Sequence, residues 1–514
     1  MQKKRIHRVT QLLTVVTVTL MASGCATHSD RLGFADSEGT KTYAQAYEPA
    51  RQMMLNGQWD ELRAKLNENS SREIKEKQKD ESGELREITR SEMLTNDEEM
   101  ERLVKEQSEL AIVERGLMTL NVGDFPRALF YFNAGEEKLG ITEADSSMSS
   151  LASKYGKTSL SVLTGSEELS NYEMRGYEKV MLLNYKALCY MLMGERKAYN
   201  VTRRAIDLQQ EEWEKFRQLL AENESKLAKE AQEVRSKSTT ASHNLTVNDV
   251  DDRTEDVKKK AELVASAYVN PFGDYLNAMM MEIDGLSDAT IRQNARIAYE
   301  KVVENNPDCS AAAEAVNDVE KGVGKNMKLV QIILSDGFSP YQVEKTRVIK
   351  IPTNGRPIEA PINYANAMPV PTLTNTARII FNGKTKTLSS LTKMESLILR
   401  DEADRMPLRA TMLGLAVIRS LTTSAYLGEL GAALSGKMQH PDTRSWLTLP
   451  NQVYVARIQV PKSQNSLKLE TLDAKGNVLA SSTVKLAAEG PTVVYAVSYD
   501  KNMQVFANAF SWVD

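Results

Sequence analysis

The sequence changes character near Lys325, and this change restricts the chain to a helical part followed by a β-rich part. Before that point, segments with helical periodicity alternate with charged stretches, whereas prolines and β-branched runs cluster after it. The 514 residues are enough for two or three domains. We therefore predict a multidomain chain with a helical domain over 40–324 and a β-rich domain over 325–514.

The first 24 residues have the pattern of a secretory signal peptide. Basic residues precede an apolar run that ends near Met21, and small residues lead to Cys25. The apolar run is too short to cross a bilayer as a helix. We expect cleavage before Cys25, with residues 25–39 forming a tether at the start of the mature chain.

The segment Ala22-Ser23-Gly24-Cys25 resembles the lipobox of bacterial lipoproteins, although alanine stands where leucine is commonest. In that family the cysteine thiol is acylated and becomes the mature N-terminus, so the resemblance implies lipidation of Cys25 with palmitate-type chains. Ala26 replaces the aspartate that usually retains lipoproteins at the inner membrane. The resemblance thus implies attachment to the outer membrane, facing the periplasm. An ordinary signal peptide followed by a chance cysteine is the alternative interpretation.

Four segments of the helical part resemble tetratricopeptide (TPR) repeats. The most specific is Ala295-x3-Tyr299-x7-Pro307, and weaker ones lie near Ala50, Gly116 and Ala187. Small residues at such positions allow antiparallel helices to approach closely, and the resulting hairpins stack to bury their apolar faces. We predict a TPR-like α-solenoid with a concave binding face. Because the spacing between the segments is uneven, an irregular helical bundle is the alternative.

Two charged stretches, 72–109 and 211–260, are predicted as helical insertions in this domain. In the second, apolar residues recur every seven positions, at Trp213, Leu220, Leu227 and Val234. A seven-residue period is typical of a coiled-coil seam. The stretch is therefore either a protruding helical arm that contacts a partner or a solvated helix packed back on the solenoid.

The β-rich part is predicted to be a small antiparallel β-sandwich with a helical insert over 390–434. The second helix of the insert begins at Pro407 and is unusually apolar, which favours burial between the domains or docking on a partner or membrane. The sequence then continues into Asp442, Arg444 and Trp446. We expect the first two to clasp a loop, and Trp446 either fills the core or recognises a partner. These three residues are the candidate interaction site.

Several kinds of chemistry find no support in the sequence. The 65 basic and 69 acidic side chains nearly cancel, so nothing suggests nucleic-acid binding. The three mature histidines, His28, His243 and His440, are scattered, and we predict no metal, cofactor or catalytic residue. Cys189 and Cys309 are either buried free thiols, which we favour, or a disulfide.

The lipobox, the Asn270-Pro271-Phe272 segment and the Asp442 to Trp446 segment together resemble a proteobacterial outer-membrane lipoprotein family with TPR-like repeats and no assigned activity. The resemblance implies partners among envelope proteins, including those associated with cell-wall synthesis. We therefore expect a non-enzymatic, lipid-anchored scaffold or adaptor that binds envelope proteins through a helical-repeat surface. A periplasmic enzyme acting on the cell wall, or a glycan- or small-ligand-binding lipoprotein, is the alternative.

Overall fold

The structure is a computed structural model. It describes residues 43–68, 71–79, 85–93, 96–141, 172–237, 251, 253–351, 358–427 and 441–510. The predicted signal peptide, the tether and Cys25 lie outside these ranges. The described residues combine helices with antiparallel and mixed sheets, so the predicted mixture of α and β structure is confirmed. A β-hairpin lies among the first helices, and one long helix lies among the later strands.

The helical part contains a β-hairpin among its helices. Its elements are α1 Tyr43–Leu55, α2 Trp59–Glu68, β1 Ser71–Lys79, β2 Leu85–Met93, α3 Asn96–Glu106, α4 Glu109–Asn121, α5 Phe125–Leu139, α6 Gly176–Leu192, α7 Ala198–Lys237, α8 Glu255–Glu262, α9 Pro271–Asp284, α10 Ala289–Asn305 and α11 Ser310–Asp318.

Successive helices pair as hairpins: α1 with α2, α4 with α5, α6 with α7, and α9 with α10. In the second hairpin a Cβ atom on Gly116 would lie 2.8 Å from the Phe132 ring, so only glycine allows this approach. Helix α9 begins where it does because the Asn270 side chain accepts a hydrogen bond from Phe272 N (3.0 Å) and Pro271 needs no partner in the first turn.

The β-rich part contains one long helix between its strands. Its elements are β3 Met327–Asp336, β4 Tyr341–Ile351, β5 Ile358–Met368, β6 Thr376–Phe381, β7 Lys384–Thr387, β8 Ser389–Lys393, α12 Met394–Leu427, β9 Gln452–Pro461, β10 Ser466–Leu472, β11 Val478–Lys485, β12 Thr492–Tyr499 and β13 Asn502–Ala509.

The strands form a five-stranded sheet in the order β13-β12-β3-β9-β8, a four-stranded sheet in the order β11-β10-β6-β7, and the β4–β5 ribbon. Strand β12 pairs with β3 in parallel and the other pairs in the five-stranded sheet are antiparallel. The prediction of a purely antiparallel sandwich is therefore wrong for this sheet. A parallel pair requires a crossover between its strands, and sequence alternation does not reveal such connections.

The five-stranded sheet is the middle layer of the described molecule. On one face Val330, Ile332 and Leu334 pack against Ile379 and Leu469 of the four-stranded sheet. On the other face, Ile333, Val455 and Tyr495 join a core shared with the helices. Because both faces are covered, β3 is apolar along most of its length.

The edge strand β13 is covered by the turns of three helical hairpins. Gly57, Gly123 and Gly194 have φ values of +70°, +86° and +73°, which glycine adopts without strain. A Cβ atom on these glycines would lie 2.6 Å from Asn502 Oδ1, 2.4 Å from Phe506 Cε1 and 3.1 Å from Asn508 Nδ2, respectively. Because Asn502, Phe506 and Asn508 are spaced in twos, the hairpin turns pack on one face of β13.

The prediction of a charged helical insertion over 72–109 is wrong for its first part. Strands β1 and β2 form an antiparallel hairpin there, with Ser71 opposite Met93 and Lys79 opposite Leu85. Only α3 and the start of α4 are helical in this stretch. Composition suggested a solvated helix, but pairing of two segments depends on their register, which composition does not display.

The helical insert also differs from the prediction of two helices over 390–434. Residues up to Lys393 belong to β8, and α12 then runs unbroken through Pro407 to Leu427. Arg409 pairs with Glu402 across the proline, which lacks a backbone donor, and Arg405 pairs with Asp401 in the turn before it. The predicted continuation from 428 to 434 lies outside the described residues.

Candidate functional site

The candidate interaction residues lie in a segment that leads into β9, residues 441–451, which we call the strap. At its start the Arg444 guanidinium donates to both carboxylate oxygens of Asp442, at 2.8 and 2.7 Å. The same guanidinium lies 5.3 Å from the centre of the Tyr172 ring. The predicted clasp between Asp442 and Arg444 is therefore confirmed.

Trp446 lies in the core, where its side chain is 1% exposed. Its ring meets the Tyr185 ring edge to face, with centres 6.2 Å apart, and its Nε1–H donates to Thr448 Oγ1 at 3.0 Å. This confirms the core-filling interpretation of Trp446. A partner would reach the indole only if the strap moved.

Two fully buried carboxylates hold the backbone of the strap. Glu178, on α6, accepts from Trp446 N at 2.8 Å, and its other oxygen accepts from the Tyr172 hydroxyl at 2.7 Å. Glu114, on α4, accepts from Leu447 N at 2.5 Å and from Thr448 N at 3.0 Å. The Thr448 hydroxyl also donates to Glu114. Three successive backbone N–H groups are thus satisfied by two acids from different helices.

Burial dominates the electrostatics of these two acids. It raises the pKa of Glu114 to about 8, although the hydrogen bonds from Thr448 and Leu447 oppose the rise. The negative charge of Glu178 raises the Glu114 pKa further. Burial likewise raises the pKa of Glu178, against the hydrogen bonds from Tyr172 and the strap. Removing water from a carboxylate disfavours its charged form, which explains both directions.

An ionic cluster on α12 adjoins the strap. Arg405 Nε lies 2.9 Å from Asp401, and Arg409 Nη2 lies 2.8 Å from Glu402. Burial alone would raise the pKa of Glu402, but the guanidinium groups of Arg409 and Arg175 outweigh it and lower the pKa. The cluster connects α12 to the start of α6, where Arg175 lies.

A second buried network joins the helices to the sheet. Arg457, on β9, forms a forked pair with Glu282 of α9, with N–O distances of 2.6 to 2.9 Å. Gln331 of β3 and the Tyr299 hydroxyl also donate to Glu282, at 2.9 Å each. The oxygens of Glu282 are therefore fully used in connecting the two layers.

Neither the acids that hold the strap nor the Arg457–Glu282 network presents a free nucleophile or a set of metal ligands. Among the described residues no cluster of three or more His, Cys, Asp or Glu side chains is placed to hold a metal ion. Cys189 and Cys309 are free and buried, which confirms the favoured interpretation, and burial raises the pKa of both thiols. His28, His243 and His440 lie outside the described ranges.

The sequence did not point to Glu114, Glu178 or Glu282 as structural centres. The available signal was a pair of charged residues, Glu114 and Arg115, within the largely apolar stretch from Leu110 to Leu120. Such a residue is either solvated or buried with partners, and buried polar groups need partners. Which backbone groups those partners are depends on the tertiary fold.

Within the described ranges, no helix combines the length and apolar character needed to cross a membrane. A comparison of the chain with family models, curated proteins and solved structures finds no match.

Proposed function

We propose that the chain is a lipid-anchored, periplasm-facing scaffold that binds other proteins of the cell envelope. In this proposal Cys25 carries the lipid and the chain acts at the outer membrane. The helical hairpins are TPR-like repeats, and the two larger sheets form a β-sandwich. The anchor is supported by the lipobox, and the repeats are supported by the close hairpin packing at Gly116 and the glycine turns.

The sheet determines which helical surface is open to a partner. The first helices of three hairpins, α4, α6 and α9, are buried along nearly their whole length, and Tyr275 of α9 bonds to Gln331 of β3 at 3.0 Å. The inner face expected to hold a partner is thus occupied by the chain's own sheet. The second helices, α5, α7 and α10, remain partly exposed, so we place partner binding on that side.

The observation that carries the proposal is the extent of α7. It is one helix of 40 residues, about 60 Å long. Its first half packs on the core through Val201, Ala205, Leu208 and Phe216. Beyond Phe216, Ser225 and Ala228 are exposed, and because they are three positions apart they lie on the same face of the helix. Of the predicted seam, Trp213 and Leu220 pack against the chain's own core, so we base the binding arm on the exposed face that carries Ser225 and Ala228.

Site-specific photo-crosslinking in intact cells tests the binding arm. A photoreactive amino acid at Ser225 or Ala228 should yield discrete crosslinked products with envelope proteins. The matched control places it at Lys475, an exposed residue in the turn between β10 and β11. Similar products from all three positions, or none from α7, would count against the arm as the binding surface.

The anchor has a separate test. Metabolic labelling with a palmitate analogue should label the wild type and leave C25S unlabelled, and C25S should leave the outer-membrane fraction. An unlabelled wild-type chain would refute the anchor while leaving the crosslinking result to be judged by itself.

A further inference from the structure

We propose that the strap is a proton-controlled latch held by Glu114 and Glu178. It stays closed while at least one of the two carboxyl groups is protonated, and it opens when both are ionised. This goes beyond the scaffold function, because it concerns a conformational change of the chain itself. Opening would expose Trp446 and three backbone N–H groups that are now inside.

The two acids hold three successive backbone amides of the strap, while Ser339 bonds to the carbonyl oxygens of Trp446 and Leu449. Trp446 N bonds to Glu178, and Leu447 N and Thr448 N bond to Glu114. Both acids are 0% exposed. At the strap's outer end Asp442 and Arg444 hold each other, and the Arg444 guanidinium lies 5.3 Å from the centre of the Tyr172 ring. A change in the charge of the acids therefore acts on the segment where the strap enters the core.

When both Glu114 and Glu178 are ionised, the charged groups around Glu114 do not balance the second negative charge. The charge that acts most on Glu114 comes from Glu178, and it is repulsive. Arg115, its neighbour in sequence, is instead turned to the carbonyl of Leu66. The charged residues of the helices beside α4 pair among themselves: Arg127 with Glu99, and Glu136 with both Lys186 and Arg204.

The nearest cation on the other side is shared. Glu178 is attracted by Arg175, and it also accepts from the Tyr172 hydroxyl, with Tyr177 close by. The largest attractive charges on Arg175, however, are those of Asp401 and Glu402 on α12. Asp401 and Glu402 also have Arg405 and Arg409 as partners, so Arg175 supplies one positive charge for the two carboxylates of the pair. A second negative charge on the pair is not balanced by Arg175 and favours separation of the strap and entry of water.

Proton balance is simple in this scheme. Loss of one proton to water converts the pair from one charge to two, and no other bond forms or breaks. While Glu114 accepts from the Thr448 hydroxyl, that hydroxyl accepts from the Trp446 indole N–H. The indole therefore belongs to the same hydrogen-bonded chain as the titrating group.

Amide hydrogen exchange of the full mature chain between pH 6 and 10 tests the latch. After correction for base-catalysed intrinsic exchange, the protection of the 446–448 amides should fall up to tenfold per pH unit above the pKa of the pair. Protection of β12 amides, such as Val494 and Ala496, should stay constant. E114Q, which cannot ionise, should remove the pH dependence at 446–448, and E136Q, which alters a buried acid away from the strap, should keep it.

Three outcomes would overturn the latch: constant protection at 446–448, loss that runs parallel in β12, or the same loss in E114Q as in the wild type. If E114Q fails to fold, the wild-type comparison of strap with β12 still decides. A second measurement is Trp446 emission in a W59F/W213F/W512F background, which should shift over the same pH range as the exchange.

Discussion

At the scale of single residues, the buried charges carry most of the information that the sequence did not reveal. Arg457 and Glu282 are 175 positions apart, and both are 3% exposed as side chains. Neither stands out in its own segment, because long-range partners are chosen by the fold. The clasp between Asp442 and Arg444 was predictable, since its two residues are near neighbours and any loop conformation keeps them close.

Replacement of Arg457 tests the buried pair. Arg457→Met leaves the Glu282 carboxylate buried without its cation, so we expect the free energy of unfolding to fall by about 3–5 kcal/mol. The matched control is Arg296→Ala, which breaks a partly exposed pair with Glu300 (2.6 Å) and should lower it by about 1 kcal/mol or less. Urea denaturation measures both. Equal losses would mean that burial of the Arg457 pair has no energetic consequence.

Asp336 gives a pH dependence that can be attributed to one group. Burial raises its pKa from 3.8 to about 6, although the hydroxyls of Thr374 and Thr372 donate to it. The folded state therefore binds the proton more tightly than the unfolded state, and this stabilisation is complete below pH 3.8 and lost as pH rises through 6. Relative to Asp336→Asn, the wild-type free energy of unfolding should fall by about 3 kcal/mol between pH 3.5 and 7. A constant difference between the two proteins across that range would contradict the assignment.

At the scale of elements, the sequence predicted those helices and turns that are determined by interactions between residues near each other in the chain. The hairpins with turns at Gly123 and Gly194 follow from small residues and glycines at fixed offsets, and the apolar α12 follows from composition. The β1–β2 hairpin was missed because its pairing depends on register. The continuation of α12 through Pro407 was missed because proline was taken as the start of a new helix, whereas ion pairs within α12 support the turn around it.

The contact between a hairpin turn and β13 can be measured by substitution at glycine. Gly123 and Gly476 have similar φ values, +86° and +83°, but a Cβ atom meets the Phe506 ring only at Gly123 and nothing within 4 Å at Gly476. Gly476→Ala should lower the free energy of unfolding by about 1–2 kcal/mol through backbone strain alone. Gly123→Ala should lower it by about 1–3 kcal/mol more, because the ring must move. If urea denaturation gives the same loss of stability for both substitutions, the contact between the Gly123 turn and β13 does not contribute to stability.

At the scale of the whole molecule, the predicted boundary near residue 324 marks a change of secondary structure within a continuous core. The core that contains Leu117, Tyr185 and Tyr275 of the helices also contains Ile333 and Tyr495 of the sheet. Periodicity within a segment shows that a face is apolar, but it does not show which later segment covers that face. The helical part was therefore expected to leave a binding face open, whereas its apolar helix faces share a core with the chain's own sheet.

A fragment that ends at this boundary tests how far the helical part depends on the sheet. Residues 40–324 alone would expose the faces of α4, α6 and α9 that the sheet covers, so we expect an expanded state with helical far-UV circular dichroism, weak near-UV signal and binding of a hydrophobic dye. The matched control is the C25S mature chain, which should unfold cooperatively without binding the dye. A fragment that itself unfolds cooperatively, with protected amides in α6, would instead establish the helical part as an autonomous domain, because its buried helices would then be stable without the layer that now covers them.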